Sequence, residues 1–161
     1  MERLNFSWVI PHMLAGCAGP INDSELLFLK QQGITLLVRL AEKQKAKVTS
    51  QQVLRASLKD LHEPIMDFHA PSQEQIDRIV KNVKEFLNEG KAVAVSCGAG
   101  IGRTGTVLAC ILISIGYTFN ETVEKIQGTR RQVTAWETDD QYQAIREYAK
   151  RIGKSLKSQH R

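Results

Sequence analysis

Apolar positions fall along this chain in two rhythms. Ile34–Leu40, broken only by Arg39, and Val93–Ser96 are short continuous runs, the pattern of strands buried on both faces. By contrast, Ile76, Ile79, Val80, Val83, Phe86 and Leu87 recur at helical spacing. Ser72 with Gln75 reads as a capping box ahead of that helix, and Gly90 closes it. Two weaker apolar pieces, Phe6–Ile10 and Met13–Ala18, are separated by Pro11 and predict edge strands or a hairpin-like start. Asn22, Asp23 and Ser24 offer caps for a helix over Glu25–Gln32, which Gly33 stops. Ala41–Gln52 is polar and lysine-containing, a loop or a short exposed helix, and Ala56–Leu61 is a weaker strand. Pro71 keeps Ala70 out of the helical region, so Asp67–Pro71 is a loop.

After Val93–Ser96 comes a glycine loop, and the rest of the chain reads as helices. Thr104–Ile115 is nearly all apolar, Asn120 can cap a helix over Glu121–Gln127, and Thr134 with Glu137 forms a second capping box for a helix to about Ile152. Strands alternating with helices, then helices alone, predict an α/β layer fold with helices flanking a small sheet. At 161 residues the chain makes one domain, expected over 1–153, followed by a frayed tail over 154–161.

Composition narrows the class without naming a function. The 42% hydrophobic and 24% charged fractions are those of a soluble globular protein. No apolar run approaches the roughly 20 residues of a membrane span, and the first residues lack a signal-peptide core. An intracellular protein is expected, in the cytoplasm, with the nucleus also open. The net charge of +5 is concentrated at one end: Lys150, Arg151, Lys154, Lys157 and Arg161 carry it with no acids between them. That is a solvated tail, with attachment to a membrane surface or nucleic acid as the alternative. Cys17, Cys97 and Cys110 lack metal-ligand and C-x-x-C spacing. A helical rise of about 1.5 Å per residue separates Cys110 from Cys97, and Cys17 remains open as a redox partner. His12, His62, His69 and His160 are scattered, so no metal is expected.

One stretch carries chemistry. The apolar run Ala92–Val95 leads into Ser96 and Cys97, a loop of Gly98, Ala99, Gly100, Ile101 and Gly102, then Arg103, Thr104 and an apolar helix. Gly100 to Gly105 formally satisfies the G-x-G-x-x-G dinucleotide fingerprint. That fingerprint needs a later strand with an acid for the ribose, and the chain around Glu121–Glu124 reads as helix. A Walker A loop would need lysine where Arg103 stands. A phosphate-binding thiol site uses every residue. Inward backbone N–H groups and a helix N-terminus hold a dianion, and such surroundings ionise cysteine thiols. An arginine supplies a planar fork for two phosphoryl oxygens. Gly98, Gly100 and Gly102 would let the loop take positive φ and approach the ligand.

Cys97 to Thr104 resembles the C-x5-R-S/T phosphate loop of the protein tyrosine phosphatase superfamily. The opening Asn5–Pro11 with Leu14-Ala15-Gly16, the segment Pro64–Pro71 with Gln75–Arg78, and Glu137-Thr138-Asp139-Asp140-Gln141 are similar to the small atypical dual-specificity phosphatases, the group of dual-specificity phosphatase 23 and its archaeal relatives. The resemblance implies a small central, mostly parallel twisted sheet flanked by helices, with an all-helical C-terminal part. It implies Cys97 as nucleophile, Arg103 as phosphate clamp and Asp67 as general acid and then base. Thr104 would donate to the sulfur, and Gln141 would position the attacking water. Residues 98–103 would bind the phosphate. Asp67 also reads as a turn former, and Glu42 either orients Arg103 or is an exposed loop acid.

Two positions depart from that pattern. Ser96 replaces the usual histidine before the nucleophile, which implies weakened activity rather than none, since a serine can still hydrogen-bond loop carbonyls. Gln132-Val133-Thr134 replaces the usual Arg-Pro-Gly before the closing motif. The implied function is metal-independent and cofactor-free hydrolysis of phosphotyrosine, with phosphoserine and phosphothreonine open, in a phosphorylated protein or peptide. Inorganic phosphate would be the product, the protein a monomer, with no nucleic-acid partner. The alternatives are a phosphate-binding pseudophosphatase or scaffold, or a phosphatase for RNA 5′ ends or phosphoinositides.

Overall fold

Val93, Ala94 and Val95 lie in the middle strand of a sheet, where a continuous apolar run belongs. A computed structural model describes residues 2–153; the tail expected over 154–161 lies outside them. A short 3-10 turn, Glu2–Leu4, precedes strands β1 (Ser7–Ile10) and β2 (Leu14–Ala18), helix α1 (Asp23–Gln31) and strand β3 (Ile34–Arg39). Helix α2 (Ser50–Arg55), strand β4 (Lys59–His62), helix α3 (Gln73–Asn88) and strand β5 (Ala92–Cys97) follow. The remainder is α4 (Gly102–Ser114), α5 (Phe119–Arg130) and α6 (Asp139–Arg151).

The five strands run β1-β2-β5-β3-β4. Only β1 is antiparallel to its neighbour; β2, β5, β3 and β4 pair in parallel. The structure therefore has the expected mostly parallel sheet, flanked by helices and followed by helices alone. One face packs α1 and α2 through Leu26, Leu29 and Val53 onto Ala15, Leu37 and Ala94. The other packs α3, α4, α5 and α6 around a larger core. Gly102 through Ile113 of α4 are all buried, so this helix is apolar all round because it is enclosed all round. Among the described residues no helix is long and apolar enough to cross a membrane.

Several boundaries differ from expectation, each for a local reason. β1 and β2 do form a hairpin, but β2 is an interior strand between β1 and β5; its five residues are all buried. Ser72 accepts from the Gln75 N–H, whereas the Gln75 amide turns to Glu63 and the Pro64 carbonyl, so the capping box is half made. Thr118 rather than Asn120 caps α5, in a full box with Glu121. The earlier start buries Phe119 against Trp136 and Tyr142. Thr138 with Gln141, rather than Thr134 with Glu137, caps α6. Residues 134–138 stay out of the helix because Ala135 and Glu137 are laid against Gly105 and Gly102 of α4.

β4, at the sheet edge, is held by a buried ion pair. Arg39 Nε and Nη2 donate to the two Asp60 oxygens at 2.6 and 2.9 Å, while Nη1 donates to the Val48 carbonyl at 3.2 Å and Nη2 also to Ser50 Oγ at 3.0 Å. Asp60→Ala leaves a buried guanidinium without its counter-charge and is expected to lower stability by about 3 kcal/mol in urea denaturation. Asp60→Ala combined with Arg39→Leu should recover part of that loss.

Candidate active site

Strand β5 ends on Cys97 and α4 begins at Gly102, so residues 98–101 form a loop directly below the helix N-terminus. Ile101 provides no side-chain cap, which leaves the first helical N–H groups free of one and facing the loop side. Gly100 has φ of +78°, and a Cβ there would lie 2.5 Å from the Ala18 nitrogen. Only glycine fits. The expectation of positive φ at Gly98 and Gly102 is not met. Gly102 is needed for space instead, since a Cβ would meet the Glu137 carboxylate.

Cys97 Sγ accepts a hydrogen bond from the Gly100 N–H at 3.3 Å. Arg103 is buried, and its guanidinium is divided between two tasks. Nη1 donates to Glu42 Oε1 at 2.6 Å and to the Ile65 carbonyl at 2.8 Å. Nη2 lies 3.3 Å from Asp67 Oδ1, and Nε has no partner among the described residues. The scaffold thus grips Nη1, while Nε is unpartnered and Nη2 meets the half-buried Asp67, so an anion at the Nε–Nη2 edge would lie beside that carboxyl. Thr104 Oγ1 is likewise buried and without a partner. The structure brings together Cys97, Gly98 to Gly102, Arg103, Thr104 and Asp67.

Glu42 is the residue between these parts. Its Oε2 takes Lys45 Nζ at 3.2 Å and the Asp67 N–H at 3.4 Å. Burial pushes its carboxyl up, but hydrogen bonds from its own backbone amide, Arg103, Lys45 and the Asp67 amide outweigh that and hold it at about 2. The two readings of Glu42 thereby resolve: it is a buried acid that orients Arg103.

Asp67 is half-buried on a tight turn. Phe68 next to it has φ of +65°, held by its N–H to Asp67 Oδ1 at 3.0 Å and by the His69 N–H to the Met66 carbonyl at 3.0 Å. Gln141 is fully buried. Its Oε1 accepts from the Glu137 and Thr138 N–H groups at 2.8 and 3.3 Å, and its Nε2 donates to the His69 carbonyl at 3.2 Å. It therefore ties α6 to the Asp67 turn. Ser96 Oγ donates to the Val38 carbonyl at 3.1 Å, a strand contact and not the loop carbonyl expected. Cys17 faces the smaller core and Cys97 the larger, and neither is bonded. Burial pushes the Cys17 thiol up to about 12, and that of Cys110 higher still. Among the described residues no group of three or more His, Cys, Asp or Glu side chains could hold a metal ion.

Arg130 was not foreseen from sequence. It is buried at the end of α5, donating to the Gly100 carbonyl at 2.5 Å, to Ser7 Oγ at 2.8 Å and to Gln132 Oε1 at 3.0 Å. No local pattern marks it, because its partners Gly100 and Ser7 lie 30 and 123 positions away.

Fold and loop together define the protein tyrosine phosphatase class. A family model described as a DSP-PTPase phosphatase of polymorphic toxin systems matches residues 15–117, and the chain belongs to this family of dual-specificity-type phosphatases. Tk-PTP in its active form superposes with a TM-score of 0.83 at 29% identity, covering 92% of this chain and 98% of that one. PTPMT1 in complex with PI(5)P shares the fold, with a TM-score of 0.78 at 20% identity over 88% of this chain and 93% of that one. An uncharacterized Methanocaldococcus jannaschii protein, MJECL20, is 38% identical over 93 residues, which is 56% of this chain and 60% of that protein. Human dual specificity protein phosphatase CDC14A is 26% identical over 149 residues, 84% of this chain and 22% of that protein. The chain thus matches little more than half the length of the archaeal relative.

The position of Glu42 predicts a pH signature. Its carboxyl is ordinarily near 4.5 and is lowered to about 2 in the fold. The stabilisation is therefore complete above pH of about 4.5 and is lost as pH falls toward 2. In urea titrations, the stability difference between wild type and Glu42→Gln should be full at about pH 6 and shrink through that window.

Proposed function

We propose that the protein hydrolyses phosphate monoesters on protein side chains, phosphotyrosine first and phosphoserine or phosphothreonine second, through a cysteinyl-phosphate. The observation that carries this reading is Arg103: buried, gripped by Glu42 through Nη1, with Nε unpartnered and Nη2 close beside Gly98 of the loop and 3.3 Å from Asp67 Oδ1. A phosphoryl group in that loop would receive backbone N–H groups, the α4 N-terminus and the Nε–Nη2 fork. Cys97 Sγ attacks phosphorus in line, forming the S–P bond as the P–O bond breaks. Asp67 gives its proton to the departing oxygen. Water then attacks phosphorus, Asp67 takes the water's proton, and sulfur leaves as thiolate, aided by the Thr104 hydroxyl. The same donors stabilise charge on the equatorial oxygens in both steps. No step draws on a metal.

Gln141 supports the reaction from behind. Its amide is occupied by three backbone groups, so it holds the Asp67 turn; positioning the attacking water would require its Nε2 to leave the His69 carbonyl.

Hydrolysis of a small aryl phosphate tests the reading. Cys97→Ser should lose turnover entirely. Asp67→Asn should lower kcat by ~10²–10⁴-fold, with the smallest loss for the most acidic leaving group. Activity should persist in a chelator. Turnover retained by Cys97→Ser would remove the covalent route. Phosphotyrosine and phosphoserine peptides then rank the substrates.

A further inference from the structure

A cavity of about 220 Å³ opens beside the phosphate loop, and the mechanism does not use it. Ser96, Cys97 and Gly98 line it, so it touches the nucleophile's own segment; neither Arg103 nor Asp67 lines it. It lies at the carboxyl ends of β2, β5 and β3, between the loops that leave β2 and β3. Crevices at the carboxyl ends of parallel strands are where such sheets bind ligands.

The cavity carries cations and no acid. Arg3, Arg39, Lys45 and Lys47 line it. Arg3 is committed to Glu25 and the Gly19 carbonyl, and Arg39 to Asp60. Lys45 is shared with Glu42 at 3.2 Å while its side chain stays 62% exposed. Lys47 is exposed and has no hydrogen bond or ion pair among the described residues. Between these charges the walls are apolar: Pro20, Ile21, Ala46 and Val48. An apolar wall ending in ammonium groups suits a carboxylate on a methylene stem. The hydroxyl-covered ring of an inositol phosphate would instead leave polar groups unpaired against it.

We infer that this cavity is a subsite for an acidic side chain flanking the phosphorylated residue of a peptide substrate. This rests on the reading of Cys97 and Arg103 as a phosphatase site. The phosphorylated side chain enters the loop, and a neighbouring glutamate or aspartate lies over Gly98 and between Lys45 and Lys47. Attraction across a partly exposed site is modest and screened by salt.

The test uses phosphotyrosine peptides identical except for glutamate or glutamine at flanking positions, with a small aryl phosphate alongside. The wild type should favour the glutamate peptide in kcat/KM by about fivefold, and the preference should shrink as salt is raised. Lys47→Gln should reduce that ratio, and Lys45→Gln with Lys47→Gln should bring it close to one. Equal use of both peptides by the wild type, with the aryl phosphate still turned over, would overturn the subsite and leave the phosphatase reading standing. No turnover of any phosphate ester would remove that reading itself. Lysine substitutions that depress hydrolysis of phosphoinositide vesicles or 5′-phosphorylated RNA, with the peptide ratio unmoved, would also overturn it.

Discussion

Arg103 Nη1 meets Glu42 Oε1 at 2.6 Å where both side chains are buried, and three loops depend on that contact. Glu42 comes from the loop after β3, Arg103 from the first turn of α4, and the Ile65 carbonyl from the approach to the Asp67 turn. One guanidinium nitrogen therefore joins segments that enter from different strands. The pair is tolerable because every partner is present: burying either charge alone would cost several kcal/mol. The opposite edge of the guanidinium is set in place by the same contact, so holding Arg103 rigid and presenting its donors are one act.

The helix behind the loop supplies the second condition. α4 is buried almost throughout, so its N-terminal charge sits in surroundings that screen it poorly. Glycines allow close approach around the loop, Gly100 against β2, Gly102 against Glu137 and Gly105 against Ala135. The sheet order puts β5 at the centre, and this is why the most apolar strand also carries Cys97.

Much of this could be read from the chain before the fold was known. Continuous apolar runs identified β3 and β5, helical periodicity identified α3, and the cysteine–glycine–arginine spacing located the phosphate loop. These signals are local. The helix caps were harder, because Thr118 and Asn120, or Thr134 and Thr138, carry equal capping chemistry and the choice is made by what Phe119, Ala135 and Glu137 pack against. Glu42, Arg130 and the amide of Gln141 were hardest. Each acts across a long sequence separation, and a residue type alone does not reveal whether an acid or arginine will be buried. Ser96 shows the same limit: its hydroxyl found the Val38 carbonyl of the adjacent strand.

Arg130 ties the Gly100 carbonyl to Ser7 and Asn5, and this gives the loop a history as well as a shape. Emerging from a ribosome, the cysteine and its glycines appear well before α5 exists. The residue that steadies Gly100 lies 30 positions after it and is itself held by Asn5, 125 positions before it, a separation whose closure entropy must be overcome before the contact rewards it. The phosphate loop therefore lacks one of its supports until α5 has been made and docked, and a nascent domain would carry its cysteine for some time without a finished site around it.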